Sequence, residues 1–363
     1  MPEQTFENIL CIRADNMGDV IMTAPAIRAL KETFGSRITL LTSKAGSLIG
    51  PYLDCIDDLI VSDLPWVQSA GSSSGALAAG IDELKSRNFD AAIIFTVYSQ
   101  SALPAAMLVY MADIPVRLAY ARENPYQLLT HWLPDPEPYQ QISHQVKRDL
   151  DLVAQLGAAT ADDRLLLGIE PLERASLFRK LSTVTSSLER PYMILHPGVS
   201  EAKREYPTEY WIEAGKQIAE KYGLQIFITG SGAEQELAEM ISLGIGKPAV
   251  SVAGMLSIGE FAALIGQATC VVSVNTATIH IAAAMQTPQV VLYAETNPQH
   301  TPWKSDHRIL SFSVPAHLQS RNTVIQYVSK KLYTEHIPYP TPEMILSALE
   351  TLIPESDIRV GNA

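Results

Sequence analysis

A carboxylate near the start of a helical pattern is the first residue with the chemistry of a catalyst. Asp19 lies in the segment RADNMGDV, residues 13–20, between an apolar run and an amphipathic stretch. A carboxylate in the first turn of a helix interacts favourably with the helix dipole and caps free N–H groups. If the turn faces a cleft, the same carboxylate can also take a proton from a substrate hydroxyl. The spacing leaves both roles open, a helix cap alone or a cap that is also a general base.

Two adjacent cations follow a second apolar run. The segment HPGVSEAKREYP, residues 196–207, predicts a strand end, a turn at Gly198, and a helix whose first residue is Pro207. Lys203 and Arg204 at the carboxyl end of a strand suit a phosphate or a diphosphate. The alternative is a solvated pair of charges.

Hydroxyl groups mark a third strand-to-helix turn, in SVNTATIH, residues 273–280. Thr276, Ala277 and Thr278 fall on the opening turn of the predicted helix, where free N–H groups and hydroxyls can bind an anion. His280 lies about one turn further on. The alternative for His280 is a core histidine whose ring has its hydrogen bonds satisfied.

Other short motifs fail in their context. Residues 71–75 (GSSSG) match the pattern of a nucleophile elbow, but they follow no strand. Residues 230–232 (GSG) would begin a dinucleotide fingerprint, but position 235 is Gln. Asp149 and Asp151 are two residues apart on a predicted helix and point to different sides. The histidines have no zinc-binding spacing, so the sequence predicts no obligatory metal.

Length and composition favour a two-domain globular protein. The chain has 363 residues, of which 47% are hydrophobic and 18% charged. A formal net charge of −12 argues against a nucleic-acid-binding protein and against broad adsorption to anionic lipid. The sequence shows no signal peptide and no apolar run long enough to cross a membrane. Its three cysteines stand far apart, as expected for reduced and mostly buried thiols in a cytoplasmic protein.

Short apolar runs alternate with helical patterns along the chain. The strand candidates are residues 9–13, 37–42, 59–61, 91–96, 116–119, 192–196, 225–229, 249–252, 270–274 and 289–293. The helix candidates are residues 23–34, 76–88, 100–111, 145–156, 172–181, 207–222, 234–243, 257–266, 276–285 and 341–352. Residues 69–80 are expected to be a loop or a helix start, and residues 124–141 to have no regular element.

This alternation predicts an α/β fold of two doubly wound, Rossmann-like domains facing across a cleft. The expected domains are residues 1–165 and 166–340, followed by a C-terminal helix and tail at 341–363. Ligands are expected beyond the carboxyl ends of the strands, where all three motifs lie.

Together, the three motifs resemble glycosyltransferase family 9, the heptosyltransferase family of bacterial envelope synthesis. The resembling segments are ILCIRADNMGDVIMTAPAIRAL at 9–30, HPGVSEAKREYPTEYW at 196–211, and residues 252–303, which include AGMLSIGE, VVSVNTATIHIAAAM and TNPQHTPW. Three motifs in the same order and at the right intervals are far more specific than any one of them.

The resemblance implies a glycosyltransferase-B fold and an inverting, metal-independent enzyme without a cofactor. Its N-terminal domain would bind a saccharide or glycolipid acceptor, and its C-terminal domain a nucleotide-sugar donor, by default ADP-heptose. Asp19 would be the general base on the acceptor hydroxyl, and Lys203 would neutralise the leaving diphosphate. The implied location is the cytoplasm, with at most peripheral membrane contact and no nucleic-acid partner.

The resemblance also implies a set of binding residues. Glu236 would bind the ribose, and Gly254 and Leu256 would line the base. The other donor-binding residues would be Gly18, Ser200, Asn275, Thr276, Ala277, Thr278 and His280. The acceptor would contact Arg117, Arg122 and His144, which could form a basic rim with Lys147 and Arg148; the alternative is scattered solvated charges.

The chain departs from the family at two points. Asn275 and Ala277 stand where the family usually has Asp and Gly, and residues 294–298 are AETNP in place of GPTDP. Glu295 would restore an acid near the donor. The altered motif at Asn275 favours one alternative, a non-catalytic nucleotide-sugar-binding protein. A second alternative is a nucleotide-sugar 2-epimerase, which shares the fold.

Overall fold

The computed structural model describes residues 5–62, 64–67, 73–185 and 190–353. The chain divides into two compact units, Met1–Leu166 and Leu167–Ala363, one residue from the predicted boundary. Within the described residues, the C-terminal helix is part of the second unit and not a separate segment. The tail at 354–363 and the predicted loop at 69–72 lie outside the described residues. The described helices include none long and apolar enough to cross a membrane.

The first unit is a six-stranded parallel sheet with helices. Its strands are β1 (Asn8–Arg13), β2 (Arg37–Thr42), β3 (Asp58–Val61), β4 (Ala91–Ile94), β5 (Val116–Ala121) and β6 (His131–Pro134). Its helices are α1 (Met17–Phe34), α2 (Lys44–Ser47), α3 (Ser74–Ser86), α4 (Leu103–Met111) and α5 (Gln145–Val153). The strands lie in the order β3-β2-β1-β4-β5-β6.

The second unit repeats this plan. Its strands are β7 (Tyr192–His196), β8 (Gln225–Ile228), β9 (Ala249–Ser251), β10 (Cys270–Val274), β11 (Gln289–Ala294) and β12 (His307–Phe312), in the order β12-β11-β10-β7-β8-β9. Its helices are α6 (Pro171–Leu181), α7 (Thr208–Tyr222), α8 (Gln235–Ile245), α9 (Ile258–Gln267), α10 (Ala277–Ala284), α11 (Thr323–Leu332) and α12 (Pro342–Leu352).

The central strands are buried along almost their whole length. Ile9 and Leu10 of β1 and Val271 and Val272 of β10 are fully buried. Parallel strands that are covered by helices on both faces require such continuous apolar runs. Gly35 ends α1 in the left-handed conformation, with φ of 65°, and its N–H donates to the carbonyl of Lys31. This confirms the predicted helix end.

Each sheet has one point at which the strand order reverses direction. In the first unit it lies between β1 and β4, and in the second between β7 and β10. Loops diverge at such a point and leave a crevice beyond the carboxyl ends of the strands, where α/β proteins bind ligands. The Asp19 motif follows β1, and the Lys203 and Thr276 motifs follow β7 and β10. Each predicted motif therefore flanks a reversal point.

Four of these strands and helices were not predicted, namely β6, β12, the short helix α2 and α11. β6 lies within residues 124–141, so the expectation of an irregular segment there was wrong. β6 and β12 are edge strands that pair on one side only, and their half-exposed residues lack a continuous apolar run. Pro134 is tolerated at an edge because its missing N–H faces no partner strand. The helix α11 was also missed, and Pro207 is the N-cap of α7 rather than its first residue.

Candidate functional site

Asp19 is the third residue of α1 and closes its first turn. One of its carboxylate oxygens, Oδ2, accepts the backbone N–H of Asn16 at 3.3 Å. The other, Oδ1, accepts from Nη2 of Arg13 at 2.8 Å. The Asp19 side chain is still 14% exposed. The residue is therefore a helix cap, as predicted, and its carboxylate also reaches the surface at the carboxyl edge of the first sheet.

Arg13 is a fully buried cation at the end of β1. Its Nε lies 3.1 Å from Oδ2 of Asp15, whose Oδ1 accepts from Gln100 at 2.5 Å across the reversal point. Burial by itself would lower the pKa of Arg13, but the charges of Asp15, Asp19 and Asp149 raise it above its ordinary value. The guanidinium is thus permanently charged and favours the ionised form of Asp19.

Asp149 is the second buried acid near Arg13, and it was not predicted to belong to the site. It is 1% exposed. Its Oδ2 accepts from the hydroxyl of Thr23 at 2.8 Å, and its Oδ1 accepts from Gln145 at 2.7 Å. Burial raises the pKa of Asp149 to about 6, although Arg13 opposes this effect. The only sequence signal for this cluster is Arg13 itself, a charged residue that ends an otherwise apolar strand.

Arg117, a predicted acceptor-binding residue, does not lie at the edge of the sheet that carries Asp19. It lies near the amino end of β5, at the opposite edge of the sheet from Asp19. Its guanidinium donates to the backbone carbonyls of Ile114, Gln127 and Leu128. These donors stabilise a loop at the amino edge of the sheet, and contact of Arg117 with an acceptor stays a prediction.

Arg122 and His144 lie at the same edge of the first sheet as Asp19. Arg122 directly follows β5, and His144 is the N-cap of α5. The guanidinium of Arg122 donates to the carbonyls of Tyr98 and Glu137, at 2.5 and 3.0 Å. The Nδ1 of His144 accepts from the N–H of Val146 at 3.1 Å. Both side chains thus have structural bonds, and their contact with an acceptor stays a prediction.

The predicted basic rim does not form as expected. Arg148 is buried, and its guanidinium pairs with Asp135 at 2.8 Å and with Glu137 at 2.7 Å. Lys147 is exposed and pairs with Asp151 on the next turn of α5. Arg148 therefore belongs neither to a surface rim nor to the scattered solvated charges that were the alternative, because it is buried against two acids of the β6–α5 connection.

His196 ends β7 at the reversal point of the second unit. Its Nδ1 lies 2.9 Å from the hydroxyl of Thr229, and its ring centre lies 5.4 Å from that of Phe261. Burial lowers the pKa of His196 to about 4, against the opposing charge of Glu234. The imidazole is therefore neutral at physiological pH.

Lys203 and Arg204 share one acid. The Nζ of Lys203 lies 2.7 Å from Oε1 of Glu201, and Nη2 of Arg204 lies 2.9 Å from its Oε2. Lys203 is 24% exposed, and Ser200 beside them is exposed. The two cations are therefore neither a free pair nor fully solvated. Any anion that binds Lys203 must compete with Glu201.

The residues expected to bind a nucleotide base and ribose lie at one edge of the second sheet. The N–H of Gly254 donates to the carbonyl of Gly230 at 2.9 Å. Gly254 has a φ of +72°, and a Cβ there would lie 2.7 Å from Nε2 of Gln235, so only glycine fits. Glu236 is exposed in the first turn of α8, and Leu256 is half-buried. Their contacts with a donor stay predictions.

Lys180 of α6 donates hydrogen bonds to residues near this edge of the second sheet. Its Nζ donates to the carbonyl of Met255 and to Oε2 of Glu260, both at 2.7 Å. The same Oε2 accepts the N–H of Ser257, whose hydroxyl accepts the N–H of Glu260. This reciprocal pair is a capping box at the start of α9, the helix that the sequence predicts at 257–266. The bond to Lys180 could not be foreseen, because the two residues are 80 positions apart.

Asn275 joins the ends of two neighbouring strands. Its Nδ2 donates to the carbonyl of Ala294 at 3.2 Å and to the hydroxyl of Thr296 at 3.1 Å. Its Oδ1 accepts the N–H of Ala294 at 3.1 Å. This arrangement needs a donor and an acceptor on one side chain, which explains an amide where the family usually has a carboxylate. Glu295 follows and accepts from the hydroxyl of Ser313 at 2.9 Å.

The N-terminus of α10 carries the predicted hydroxyl group. Thr276 is the N-cap, and its hydroxyl is buried without a hydrogen-bond partner among the described residues. Ala277 begins the helix and is half-buried. Thr278 is buried in the first turn. His280 is buried, with its ring centre 6.4 Å from that of His300 in an edge-on arrangement, and its contact with a donor stays a prediction.

In the first unit, Gly18 is buried in the opening turn of α1. In the part of the chain that the structure describes, no group of three or more His, Cys, Asp or Glu side chains is arranged to hold a metal ion. The three cysteines are buried and free, as predicted.

Comparison with known proteins places this geometry in context. The model of glycosyltransferase family 9 (heptosyltransferase) matches residues 78–328. The lipooligosaccharide heptosyltransferase 2 of Haemophilus influenzae is 28% identical over 288 residues, which cover 73% of this chain and 77% of that protein.

Two solved structures share the fold over almost the whole chain. The family 9 glycosyl transferase of Veillonella parvula has a TM-score of 0.79 at 18% identity, covering 96% of this chain and 98% of that one. The ADP-heptose lps heptosyltransferase II of E. coli has a TM-score of 0.72 at 20% identity, covering 95% and 98%. These likenesses confirm the predicted fold class.

Proposed function

The chain belongs to glycosyltransferase family 9, the heptosyltransferase family, and on that premise we propose that it transfers a heptose from ADP-heptose to a sugar hydroxyl of a lipopolysaccharide-type acceptor. The protein is a glycosyltransferase. The donor and acceptor proposed here are supported by the names of its relatives, which include lipooligosaccharide and lipopolysaccharide heptosyltransferases.

The position of Asp19 is the single observation that carries the proposal. The carboxylate stands at the carboxyl edge of the first sheet, is held at 2.8 Å by a buried guanidinium, and remains open to the surface. Arg13 keeps the carboxylate ionised, and an ionised carboxylate can accept the proton of an acceptor hydroxyl. A hydroxyl that loses its proton as it attacks becomes a competent nucleophile for the anomeric carbon. A single displacement of this kind inverts that carbon.

The second unit offers the groups that a leaving diphosphate needs. The N–H groups that open α10 and the hydroxyl of Thr276 favour an anion at that helix end. Lys203 supplies a cation after the neighbouring strand β7. Together they would stabilise the charge that develops on the diphosphate as the glycosidic bond breaks, without a metal ion in that role. Neutral His196 adds no further positive charge.

The remaining proposed donor contacts lie at one edge of the second sheet. Gly254 and Leu256 would line the nucleotide base, and Glu236 would accept the hydrogen bonds of the ribose. We place the reaction in the cytoplasm, a reducing compartment that suits three free cysteines. The enzyme would meet a membrane-bound acceptor through peripheral contact only.

The test is an assay of ADP release from ADP-heptose, with and without a truncated lipopolysaccharide that lacks outer heptose. The proposal expects ADP release only with acceptor, and an inverted anomeric configuration in the product by NMR. Conversion of the donor to an isomer without acceptor would instead indicate an epimerase. Tight binding of ADP-heptose without transfer to any acceptor would indicate a non-catalytic binding protein.

A further inference from the structure

We propose that Asp149 is a positioning residue for Asp19, acting on it through Arg13 and Thr23. The inference rests on the proposed role of Asp19 as the general base. Asp149 lies on α5, and Asp19 on α1, with 130 positions between them in the sequence. The two helices pack against each other, so that a buried acid of one lies beside the first turns of the other.

The first link is the hydroxyl of Thr23. This side chain is fully buried, and its oxygen lies 2.9 Å from the backbone carbonyl of Asp19 and 2.8 Å from Oδ2 of Asp149. A hydroxyl has one hydrogen and can donate to only one of these two acceptors at a time. Ionised Asp149 takes that hydrogen bond. Protonated Asp149 can donate to the Thr23 oxygen, and the hydroxyl then turns to the carbonyl of Asp19.

The second link is the charge of Arg13. Its guanidinium bonds to Asp19 and interacts electrostatically with both Asp15 and Asp149. When Asp149 is ionised, its negative charge offsets part of the positive potential that Arg13 produces at Asp19, and Asp19 remains a stronger base. When Asp149 is protonated, Arg13 acts more fully on Asp19 and weakens it as a base.

Acids outnumber cations around this position. The charged and titratable groups that face Asp149 or its neighbours are Arg13 from β1, Asp15 from the loop after β1, Asp19 from α1, Arg148 from α5, and Asp135 and Glu137, which pair with Arg148. Two guanidinium groups thus lie near five carboxyl groups in a buried region. Burial raises the pKa of Asp149 to about 6, so its change of charge falls just below neutral pH.

A purely structural role would not require an acid here. Burial of a carboxylate costs free energy, and a buried amide of the same shape can keep the bonds to Thr23 and Gln145. The amide cannot, however, supply the negative charge that offsets the charge of Arg13. A substitution that removes this charge and keeps the shape therefore distinguishes a positioning role from a packing role.

The experiment compares Asp149→Asn with Asp151→Asn, a matched change two residues further along the same helix. The side chain of Asp151 is 45% exposed, and it pairs with Lys147 rather than with Arg13 or Arg148. In Asp149→Asn we expect kcat to fall about tenfold while the KM for ADP-heptose stays within about twofold, because the donor site is unchanged. The acid limb of the kcat profile should move to lower pH. Asp151→Asn should match the wild type in all three quantities.

A second measurement does not depend on turnover. Carbon-13 NMR of aspartate carboxyl groups, with the Asp19 signal identified by its loss in Asp19→Asn, follows the titration of Asp19 directly. We expect its midpoint to move to lower pH in Asp149→Asn and to stay unchanged in Asp151→Asn. Thr23→Val, which removes one link and leaves the charge of Asp149 in place, should shift kcat less than Asp149→Asn does.

The outcomes separate this inference from the proposed function. If Asp19→Asn abolishes transfer but Asp149→Asn keeps the wild-type kcat, pH profile and Asp19 titration, Asp149 is not a positioning residue. If the wild type transfers no sugar, the proposed function fails, and the NMR titration alone decides whether Asp149 acts on Asp19. Thermal unfolding of each variant shows whether a lower kcat comes from loss of folded protein, in which case the NMR midpoint of the folded fraction decides.

Discussion

Arg13 Nη2 lies 2.8 Å from Asp19 Oδ1, and this bond joins the last residue of β1 to the first turn of α1. The pair places a fully buried cation directly beneath a partly exposed carboxylate at the point where the first sheet reverses its strand order. A base held in this way has a defined orientation before any substrate arrives.

Removal of the carboxylate charge at Asp19 should stop transfer without affecting the donor. We expect Asp19→Asn to lower kcat by about 10²–10⁴-fold, the usual contribution of a general base. The Kd for ADP-heptose, measured by calorimetry, should stay within about twofold of the wild type, because all of the proposed donor residues except Gly18 lie in the other unit. Turnover at the wild-type rate in this variant would remove Asp19 from the mechanism.

Loss of the buried cation should be costly for stability. Arg13→Met leaves Asp15, Asp19 and Asp149 without the charge that compensates them, and we expect a loss of about 3–5 kcal/mol in the free energy of unfolding. The double variant with Asp149→Asn should recover part of this loss, because one of the uncompensated acids is then neutral. Urea unfolding of the four proteins measures both effects. Strictly additive changes would show that Arg13 and Asp149 do not interact.

The buried acid should give stability a characteristic dependence on pH. The pKa of Asp149 is raised to about 6 in the folded protein, above the value of about 3.9 for an unfolded aspartate. The folded state therefore binds its proton more tightly, so this contribution is fully present below about pH 4 and is lost as the pH rises through about 6.

As the pH rises from about 4 to about 7.5, the free energy of unfolding of Asp149→Asn should therefore increase by on the order of 2 kcal/mol relative to that of the wild type. Denaturant titrations at several pH values measure this gain. The same difference for Asp151→Asn should stay flat across this range, and a flat difference for Asp149→Asn would show that the carboxyl is ionised throughout.

Lys203 and its partner Glu201 should respond in opposite directions. Lys203→Ala removes a cation from the proposed diphosphate site, and we expect kcat/KM for ADP-heptose to fall by about 10²–10³-fold. Glu201→Gln leaves that cation without its competing carboxylate and should lower the donor KM by about two- to fivefold. Lys216→Ala, an exposed change on α7, is the control. Equal effects of Lys203→Ala and Lys216→Ala would exclude Lys203 from donor binding.

Restoration of the usual family carboxylate at position 275 should destabilise the folded protein. Asn275→Asp replaces Nδ2, which donates to both Ala294 and Thr296, by an acceptor oxygen and places a carboxylate beside a buried carbonyl. We expect a loss of about 2–3 kcal/mol in the free energy of unfolding.

Asn322→Asp is the matched control, because Asn322 caps α11 through its side-chain oxygen and aspartate caps equally well. That control should change stability by less than about 0.5 kcal/mol, as measured by chemical denaturation. A fully stable Asn275→Asp with higher transferase activity would show that the strand ends do not need the amide.

Local patterns were enough to predict most of the framework. Apolar runs of strand length, separated by helical periodicity, indicated two α/β units and a boundary one residue from the observed one. Motifs near residues 19, 203 and 276 each follow a strand, and in a parallel sheet every such position lies at the same edge. The capping box of α9 was also visible, since its two members are three residues apart.

Partners distant along the chain were not visible in the same way. Asp149 meets Thr23 across 126 positions, and Lys180 meets Glu260 across 80. Asn275 bonds to Ala294, and Arg148 is buried against acids of a segment without a periodic pattern. Periodicity reports which face of an element is apolar, whereas the partner of a buried charge depends on which elements pack together. Burial then sets the pKa of that charge, and so the folded chain alone determines which carboxylates of this protein are held ionised and which bind a proton near neutral pH.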